Sequence, residues 1–384
     1  MRFIVKLGTN LIANEDHTLN EGLIHGVVEQ IAALHKQGHE PLIVTSGAVA
    51  SGRQSLHLSK ETKAIPYRQV LASIGQTHLL KTYQAAFQKH GLLIGQVLLT
   101  MADFEQRSNF ISTRNTLELM LKNRIIPVVN ENDVTTFEEL KFGDNDNLSA
   151  RLASMMGADR LLLLTDVEGV YDEDPKQNPK AALIAEIAEI NEEILAKARP
   201  KEQASSRKHS RGGMMSKLAA ADFATEAGVT VWIARGNTPN VILDIMLNRK
   251  SHGTRFKAKF TPREARHHWL KTQCVKGCAV YLDVGAQAAL LKNGKSLLAS
   301  GVVRVEGKFE RGAVVPILGP EGKKIGFGQV NYGNIELEKI KGKKSSEIEG
   351  ILGYVWQEEV VHRDNLVLAK TTDGVCFSSP NLLK

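Results

Sequence analysis

Residues 1–250 alternate short runs of aliphatic and β-branched residues with longer stretches of helical periodicity, and this alternation limits the fold more than any other feature. The predicted strands are Phe3–Leu7, Pro41–Thr45, Leu92–Leu99, Ile125–Val129, Leu161–Thr165 and Val229–Ala234. Helical patterns between them cover Asn20–Lys36, Phe110–Lys122 and Asn147–Met156. Such alternation is typical of a parallel sheet with right-handed crossovers and helices on both faces. We therefore predict an α/β fold whose ligands bind beyond the carboxyl ends of the strands.

The pattern changes near residue 250. Between Gly277 and Gly353, short apolar runs alternate with glycines at a spacing of about ten residues, which is typical of a small all-β barrel. A chain of 384 residues also exceeds the usual size of one domain. We expect a first domain over residues 1–260 and a small β domain over residues 272–360.

Composition excludes several classes of protein. Hydrophobic residues make up 42% of the chain and charged residues 24%, as in ordinary globular proteins. The three cysteines, Cys274, Cys278 and Cys376, match neither a disulfide framework nor a zinc site. The first residues lack the apolar segment of a signal peptide, and no apolar run has membrane-spanning length. We expect a cytoplasmic protein without a membrane segment.

The net charge of +7 arises in the C-terminal third of the chain, where Lys and Arg outnumber Asp and Glu. Such an excess is compatible with a nucleic-acid surface. A modest surplus more often marks a solvated, solubilising surface. We favour the second interpretation.

Two glycine-containing turns follow the first two predicted strands. Lys6 and Gly8 offer a cation and free backbone N–H groups to a phosphate, although a lysine at a strand end most often faces solvent. Ser46 and Gly47 precede a helix whose N-terminus favours an anion. The alternative for Ser46 is an ordinary helix N-cap.

A dense group of Asn, Asp and Glu follows the predicted strand that ends at Val129. It consists of Asn130–Asp133 and Gly143–Ala150. Such residues often serve turn geometry alone. The unbroken succession of Asp144, Asn145, Asp146 and Asn147 nevertheless favours a function. Carboxylates here would hold a substrate ammonium group, orient lysines or bind Mg²⁺.

Two later segments have features of a nucleotide site. Thr165 and Asp166 end a predicted buried strand and precede a glycine turn. Ser210–Met214 brings paired glycines to the start of a helix, with Lys217 about one turn inside it. A lysine above a glycine-rich helix start suits the charge on a transferring phosphoryl group. The segment is neither a P-loop nor a dinucleotide fingerprint.

Taken in order, these motifs resemble the amino acid kinase superfamily and, within it, the glutamate 5-kinase family. The segments that carry the resemblance are Lys6–Thr9, Thr45–Ala48, Asn130–Asp133, Gly143–Ala150 and Leu162–Asp166. Ser300–Gly312 resembles a PUA domain, which is appended to many bacterial members of that family. The resemblance implies a three-layer αβα sandwich around a mainly parallel sheet, followed by a PUA-like barrel. It also implies that ATP, with Mg²⁺, phosphorylates the side-chain carboxylate of L-glutamate as the first step of proline biosynthesis.

The resemblance further implies a role for each motif residue. Lys6 and Lys217 would balance charge on the phosphoryl group, and Asp146 would hold both lysines in place. The implied glutamate-binding residues are Ser46, Gly47, Asn130, Asp133, Asp144 and Asn145. The implied ATP-binding residues are Lys6, Gly8, Thr165, Asp166, Arg211, Gly212, Gly213, Met214, Met215, Ser216 and Lys217. Proline as a feedback inhibitor and assembly into dimers or tetramers are implied as well.

One motif departs from the family pattern. Ser210-Arg211-Gly212-Gly213-Met214 stands where the family usually has Gly-Thr-Gly-Gly-Met, and we expect the arginine to alter nucleotide affinity or the mobility of the loop. Two alternatives remain open. One is another kinase of the same fold, acting on acetylglutamate, aspartate or uridylate. The other is an RNA-binding protein that acts through the PUA-like domain, against which the scarcity of aromatic residues for base stacking speaks.

Overall fold

The fold is given by a computed structural model. It describes residues 1–14, 18–57, 64–136, 145–173, 175, 178–192, 194–195, 213–261, 264, 275 and 277–368. The chain divides into two compact units, Met1–Ala265 and Arg266–Lys384.

The N-terminal unit is built on an eight-stranded sheet. Its strands are β1 (Arg2–Leu7), β2 (Glu40–Val44), β3 (Ile94–Leu99), β4 (Ile126–Glu131), β5 (Arg160–Thr165), β6 (Glu186–Ile187), β7 (Thr230–Arg235) and β8 (Thr254–Phe256). They are ordered β3-β4-β2-β1-β5-β7-β8-β6. All described neighbours run parallel except the pair β7 and β8. The carboxyl ends of the central strands therefore lie at one edge of the sheet.

Helices cover both faces of this sheet. They are α1 (Thr9–Ile12), α2 (Glu21–Lys36), α3 (Ala48–Ser55), α4 (Ile65–Gln88), α5 (Ala102–Glu105), α6 (Arg107–Lys122), α7 (Asn145–Met156), α8 (Met214–Glu226) and α9 (Val241–Met246). Successive side chains of β1 enter different cores, as expected for a strand buried on both faces. Ile4 packs in the core formed with α6, α7 and α8. Phe3 and Val5 pack in the core formed with α2, α4 and α9. The predicted three-layer arrangement is confirmed.

Helix α4 was not predicted, and it lies in backbone contact with α3. A Cβ atom added to Gly52 of α3 would lie 1.9 Å from the carbonyl oxygen of Leu71. A Cβ added to Gly75 of α4 would lie 1.8 Å from the carbonyl oxygen of Ala48. Only glycine fits at these two positions, and the close approach fixes α4 against the helix that follows β2.

The described residues of the C-terminal unit form two small sheets. Its strands are β9 (Ala279–Leu282), β10 (Leu297–Leu298), β11 (Val302–Glu306), β12 (Val314–Leu318), β13 (Lys324–Gln329), β14 (Glu359–Val361) and β15 (Leu366–Leu368). One sheet is ordered β11-β9-β12-β13-β15, and β10 pairs with β14. The predicted β character is confirmed. The unit also contains α10 (Val284–Asn293), α11 (Asn334–Ile340) and α12 (Ile348–Leu352), which the glycine spacing did not indicate.

Across the described residues, no helix combines the length and the apolar character that a membrane crossing requires.

Candidate active site

Three charged side chains from distant parts of the chain meet at the carboxyl edge of the sheet. Nζ of Lys6, in β1, lies 2.5 Å from Oδ1 of Asp146. Nζ of Lys217, in α8, lies 3.2 Å from Oδ2 of the same carboxylate. Lys6 is 3% exposed, Lys217 6% and Asp146 0%. A buried carboxylate thus bridges two buried ammonium groups.

The local structure explains how Asp146 is held. It lies in the first turn of α7, where a negative charge interacts favourably with the helix dipole. The Ser149 hydroxyl donates to the backbone carbonyl of Asp146 at 2.6 Å. The Ser216 hydroxyl donates to Oδ2 of Asp146 at 3.0 Å. Ser216 and Lys217 both belong to the start of α8, so one carboxylate fixes the position of α8 relative to α7.

The same contacts decide the charge of the cluster. Burial alone would raise the pKa of Asp146. The charges of Lys6 and Lys217, together with their hydrogen bonds, outweigh burial and lower this pKa below its ordinary value. The carboxylate therefore stays ionised. Two lysines against one aspartate give the cluster a net positive charge, which suits an anionic ligand.

A second buried cluster consists of side-chain amides next to the end of β2. The two N–H groups on Nδ2 of Asn145 are shared among three acceptors: the carbonyl oxygen of Thr45 at 2.7 Å, Oγ of Ser46 at 2.9 Å and Oδ1 of Asn130 at 2.8 Å. Three acceptors around Nδ2 fix the orientation of this amide. Oδ1 of Asn145 is buried and has no hydrogen-bond partner among the described residues. It is available to accept a hydrogen bond from a ligand.

The turn between β2 and α3 completes this cluster. The N-cap of α3 is Gly47, with a φ of 97° in the left-handed region, and no side chain caps the helix. The N-cap alternative for Ser46 is therefore wrong, because its hydroxyl accepts from Asn145 instead. A Cβ added to Gly47 would lie 3.0 Å from Cγ2 of Ile12. Asp133 is half-buried in the turn after β4.

The predicted nucleotide residues lie around the ends of β1 and β5. Oγ1 of Thr165 donates to Oδ1 of Asp166 at 2.9 Å, and Nδ2 of Asn10 donates to Oδ2 at 3.3 Å. Burial opposes ionisation of Asp166, but these hydrogen bonds outweigh it and lower its pKa. The Gly8 N–H donates to the Leu164 carbonyl at 3.2 Å, which joins the first turn to β5, so this N–H is not free for a phosphate, contrary to the prediction from the sequence.

The start of α8 is the last part of the predicted site. Gly213 is its N-cap, without a capping side chain, and Met214, Met215, Ser216 and Lys217 form the first turn. The free N–H groups of such a turn favour an anion. Asp144, Arg211 and Gly212 were also predicted to bind substrate or nucleotide, and they lie outside the described residues.

Two residues of α4 that support the amide cluster were missed by sequence reasoning. Oε1 of Gln76 accepts from Nδ2 of Asn130 at 2.9 Å. The Tyr83 hydroxyl lies 3.0 Å from Oγ1 of Thr45, and burial raises the pKa of Tyr83 above its ordinary value. Gln76 and Tyr83 are seven residues apart, which is two turns of the same helix face. Their contacts with Asn130 and Thr45 join distant elements, so the local sequence pattern gave no signal for them.

A metal cage is absent from the part of the chain that the structure describes. No three or more His, Cys, Asp or Glu side chains come together there as metal ligands. The oxygens of Asp146 face Lys6, Lys217 and Ser216. This carboxylate therefore acts as an anchor for cations of the protein.

Two family models match the chain. The amino acid kinase family matches residues 1–235, and the PUA domain matches residues 279–352. The first match covers more than half of the 384 residues. The chain therefore belongs to the amino acid kinase family and carries a PUA domain after the kinase domain.

Sequence identity to curated relatives identifies the family within the amino acid kinases. The chain is 43% identical to the glutamate 5-kinase of Dehalococcoides mccartyi, over 96% of this chain and 98% of the relative. It is 42% identical to the glutamate 5-kinase of Haemophilus influenzae, over 95% of this chain and 98% of the relative. It is 40% identical to the glutamate 5-kinase of Pelobacter propionicus, over 96% of this chain and 97% of the relative. The chain belongs to the glutamate 5-kinase family. The predicted family is confirmed.

Proposed function

We propose that this chain transfers the γ-phosphoryl group of ATP to the side-chain carboxylate of L-glutamate, as the first step of proline biosynthesis. A carboxylate oxygen of glutamate forms a bond to the γ-phosphorus. The bond from that phosphorus to the bridging oxygen breaks, and ADP leaves with the electron pair. The observation that carries the proposal is the pair of buried lysines on Asp146, in a chain of this family.

The nucleophile needs no general base. A glutamate side chain has an ordinary pKa of about 4.3 and is ionised at neutral pH. The task of the protein is therefore to align two anions and to stabilise the charge that moves between them. Positive groups held in place before the reaction suit that task, because they need no reorganisation.

Lys6 and Lys217 are the proposed catalytic residues. Their ammonium groups would face the oxygens of the phosphoryl group during transfer, with Asp146 as the positioning residue between them. Because Asp146 neutralises only one of the two charges, the cluster keeps a positive charge for the transition state. Both lysines are almost fully buried, where an electrostatic interaction is stronger than in water.

The amide cluster is the proposed glutamate site. The free Oδ1 of Asn145 would accept from the substrate ammonium group, and the carboxylate of Asp133 would balance its charge. Ser46, Gly47 and Asn130 would complete the pocket around the substrate. Asp144 is assigned to the pocket by the family resemblance.

The ends of β1 and β5 and the start of α8 form the proposed ATP site. The residues are Gly8, Thr165, Asp166, Gly213, Met214, Met215 and Ser216, with Arg211 and Gly212 assigned by the family resemblance. Mg²⁺ commonly binds through substrate phosphates and water with few protein carboxylates. We propose that the metal is carried by the ATP phosphates, where it would neutralise their charge, and that Asp146 does not bind it.

A substrate screen tests the proposed reaction. ADP release would be followed with L-glutamate, acetylglutamate, aspartate and uridylate as acceptors, and hydroxylamine would trap an acyl phosphate as a hydroxamate. The proposal predicts ADP release with L-glutamate and formation of glutamyl hydroxamate. Activity with uridylate and none with glutamate would reject it.

Regulation, assembly and the PUA domain are further parts of the proposal. Proline shares the amino and α-carboxylate groups of glutamate, so we propose that it competes at the amide cluster. Proline should therefore raise the apparent KM for glutamate without lowering kcat.

We also propose a dimer or tetramer, a cytoplasmic location and domain limits of 1–260 and 272–360. Analytical ultracentrifugation would measure the number of subunits in the assembly. RNA binding through the PUA domain is the less favoured alternative, and it predicts affinity that falls steeply with added salt.

A further inference from the structure

We propose that Gln76 of α4 positions the glutamate-binding amides by acting through Asn130. The inference rests on the proposed function, since it assigns a positioning residue to the glutamate site. Gln76 lies outside every motif of the sequence that indicated a function. It is 9% exposed and belongs to a helix that supplies none of the proposed substrate contacts.

A relay of buried amides connects Gln76 to the substrate site. Oε1 of Gln76 accepts from Nδ2 of Asn130 at 2.9 Å. Oδ1 of Asn130 accepts from Nδ2 of Asn145 at 2.8 Å and from the backbone N–H of Glu131 at 2.9 Å. Oδ1 of Asn145 ends the relay without a partner among the described residues.

Backbone groups set the direction of this relay, because the Thr45 carbonyl accepts from Asn145 and the Glu131 N–H donates to Asn130, and Gln76 holds the NH₂ group of Asn130 that remains. An amide side chain offers an acceptor at one end and donors at the other. Because the oxygen of Asn130 accepts from Glu131 and Asn145, its NH₂ group faces α4, where the oxygen of Gln76 accepts from it. The NH₂ group of Asn145 then faces Asn130, and its own oxygen is left for a ligand donor. Without the acceptor at Gln76, the NH₂ group of Asn130 loses its buried partner, and the amide is held through its oxygen alone.

The position of Gln76 is fixed by the packing of its helix. The preceding residue, Gly75, is in backbone contact with Ala48, which begins α3 directly after Ser46 and Gly47. One face of α4 also contacts the end of β2, where the Tyr83 hydroxyl lies 3.0 Å from Oγ1 of Thr45. These contacts place Gln76 beside the turn that carries Ser46.

The test uses Gln76→Met, which keeps the length of the side chain and removes the acceptor. The KM for glutamate should rise roughly tenfold, as expected for the loss of one buried hydrogen bond in a binding site. The KM for ATP should stay unchanged, because the relay does not reach the nucleotide residues. Gln76→Glu retains an acceptor oxygen and should recover most of the glutamate affinity.

Gln30→Met is the matched control. Gln30 is 8% exposed, and its Oε1 accepts from the backbone N–H groups of Ile242 and Leu243 at the start of α9. This substitution should lower the thermal stability, because it leaves those N–H groups without an acceptor, and it should leave the KM for glutamate unchanged. An equal rise of that KM in the Gln30 and Gln76 variants would show a general loss of stability and overturn the inference.

A double-mutant cycle tests whether Gln76 acts through Asn130. In an Asn130→Ala background, Gln76→Met should cause no further rise in the KM for glutamate. Additive effects would mean that Gln76 acts independently of Asn130 and would overturn the inference.

If the wild-type protein phosphorylates glutamate and Gln76→Met has the wild-type KM for glutamate, the inference fails and the proposed function stands. If the wild-type protein does not phosphorylate glutamate, the proposed function fails and the inference with it.

Discussion

Nζ of Lys6 lies 2.5 Å from Oδ1 of Asp146, although 140 positions separate the two residues in the chain. The contact joins the end of β1 to the start of α7. Asp146 also binds Lys217 and Ser216, so the first turn of α8 is attached to the same carboxylate. A single buried anion thus organises three elements of the sheet edge, and the predictions below follow from its position.

Lys217→Ala should lower kcat far more than it changes the KM for glutamate. The charge of Lys217 matters most in the transition state, so its removal should cost roughly a hundredfold to a thousandfold in kcat. Steady-state kinetics with glutamate and ATP measure this directly. Lys36→Ala, at an exposed position at the end of α2, is the control and should leave both constants unchanged. A rise in KM with normal kcat would reverse the assigned role.

Asp133→Ala should have the opposite kinetic signature. This half-buried carboxylate is proposed to balance the substrate ammonium group, so its removal should raise the KM for glutamate roughly tenfold or more. The KM for ATP serves as an internal control and should stay constant. A large fall in kcat at saturating glutamate would argue that Asp133 takes part in the chemical step.

Asp146→Asn should lower both activity and stability. The substitution leaves two buried ammonium groups without their counter-charge, and breaking a buried ion pair in this way costs about 3–5 kcal/mol in the free energy of unfolding. Urea denaturation at pH 7 measures this loss. A variant as stable as the wild type would mean that the three charges are not coupled in solution.

The stability difference between wild type and Asp146→Asn should also depend on pH. The pKa of Asp146 is lowered in the folded protein from the ordinary value of 3.8. The ionised carboxylate therefore stabilises the fold at pH values above its unfolded-state pKa, and this contribution is lost as the pH falls through the lower folded-state pKa. The difference should be constant between pH 7 and pH 5 and shrink below pH 4. A difference that grows on acidification would contradict the assignment.

Gly47→Ala should reduce the affinity for glutamate beyond its effect on stability. Gly47 has a φ of 97°, and an added Cβ would meet Ile12 at 3.0 Å, so the turn that carries Ser46 must shift. Gly38→Ala is the matched control, because Gly38 has a φ of 86° with nothing within 4 Å of an added Cβ. Both variants should lose about 1 kcal/mol or more of stability. Only the first should raise the KM for glutamate, and equal KM values in both variants would remove Gly47 from the site.

Much of the fold could be predicted because strand and turn signals are local. The buried runs of β1, β2, β4, β5 and β7 are short and largely aliphatic, and a polar residue or a glycine follows each of them directly. Helix α4 was missed because Gly75 and Gln76 interrupt its buried apolar face. Those residues are explained only by their contacts with α3 and Asn130, and contacts between distant residues cannot be detected in the local sequence pattern.

The site could be predicted only in part for the same reason. Local features of the sequence indicated Lys6, Asp146 and Lys217 separately, and the family resemblance joined them. The amide of Asn145 is oriented by the carbonyl of Thr45, and the NH₂ group of Asn130 is held by Gln76, and both partners lie in other elements of the chain. Which of two distant residues donates a hydrogen bond, and which accepts it, can be determined only from the three-dimensional structure.

A crystal structure with ADP, Mg²⁺, aluminium fluoride and L-glutamate tests the central claim most directly. The aluminium fluoride mimics a phosphoryl group in transfer. We predict that the Nζ atoms of Lys6 and Lys217 both lie within hydrogen-bond distance of its fluorine atoms. Asp146 should remain between the two lysines, and the glutamate side chain should point at the fluoride. A fluoride group that contacts neither lysine, or a Lys217 separated from Asp146 in the complex, would contradict the account.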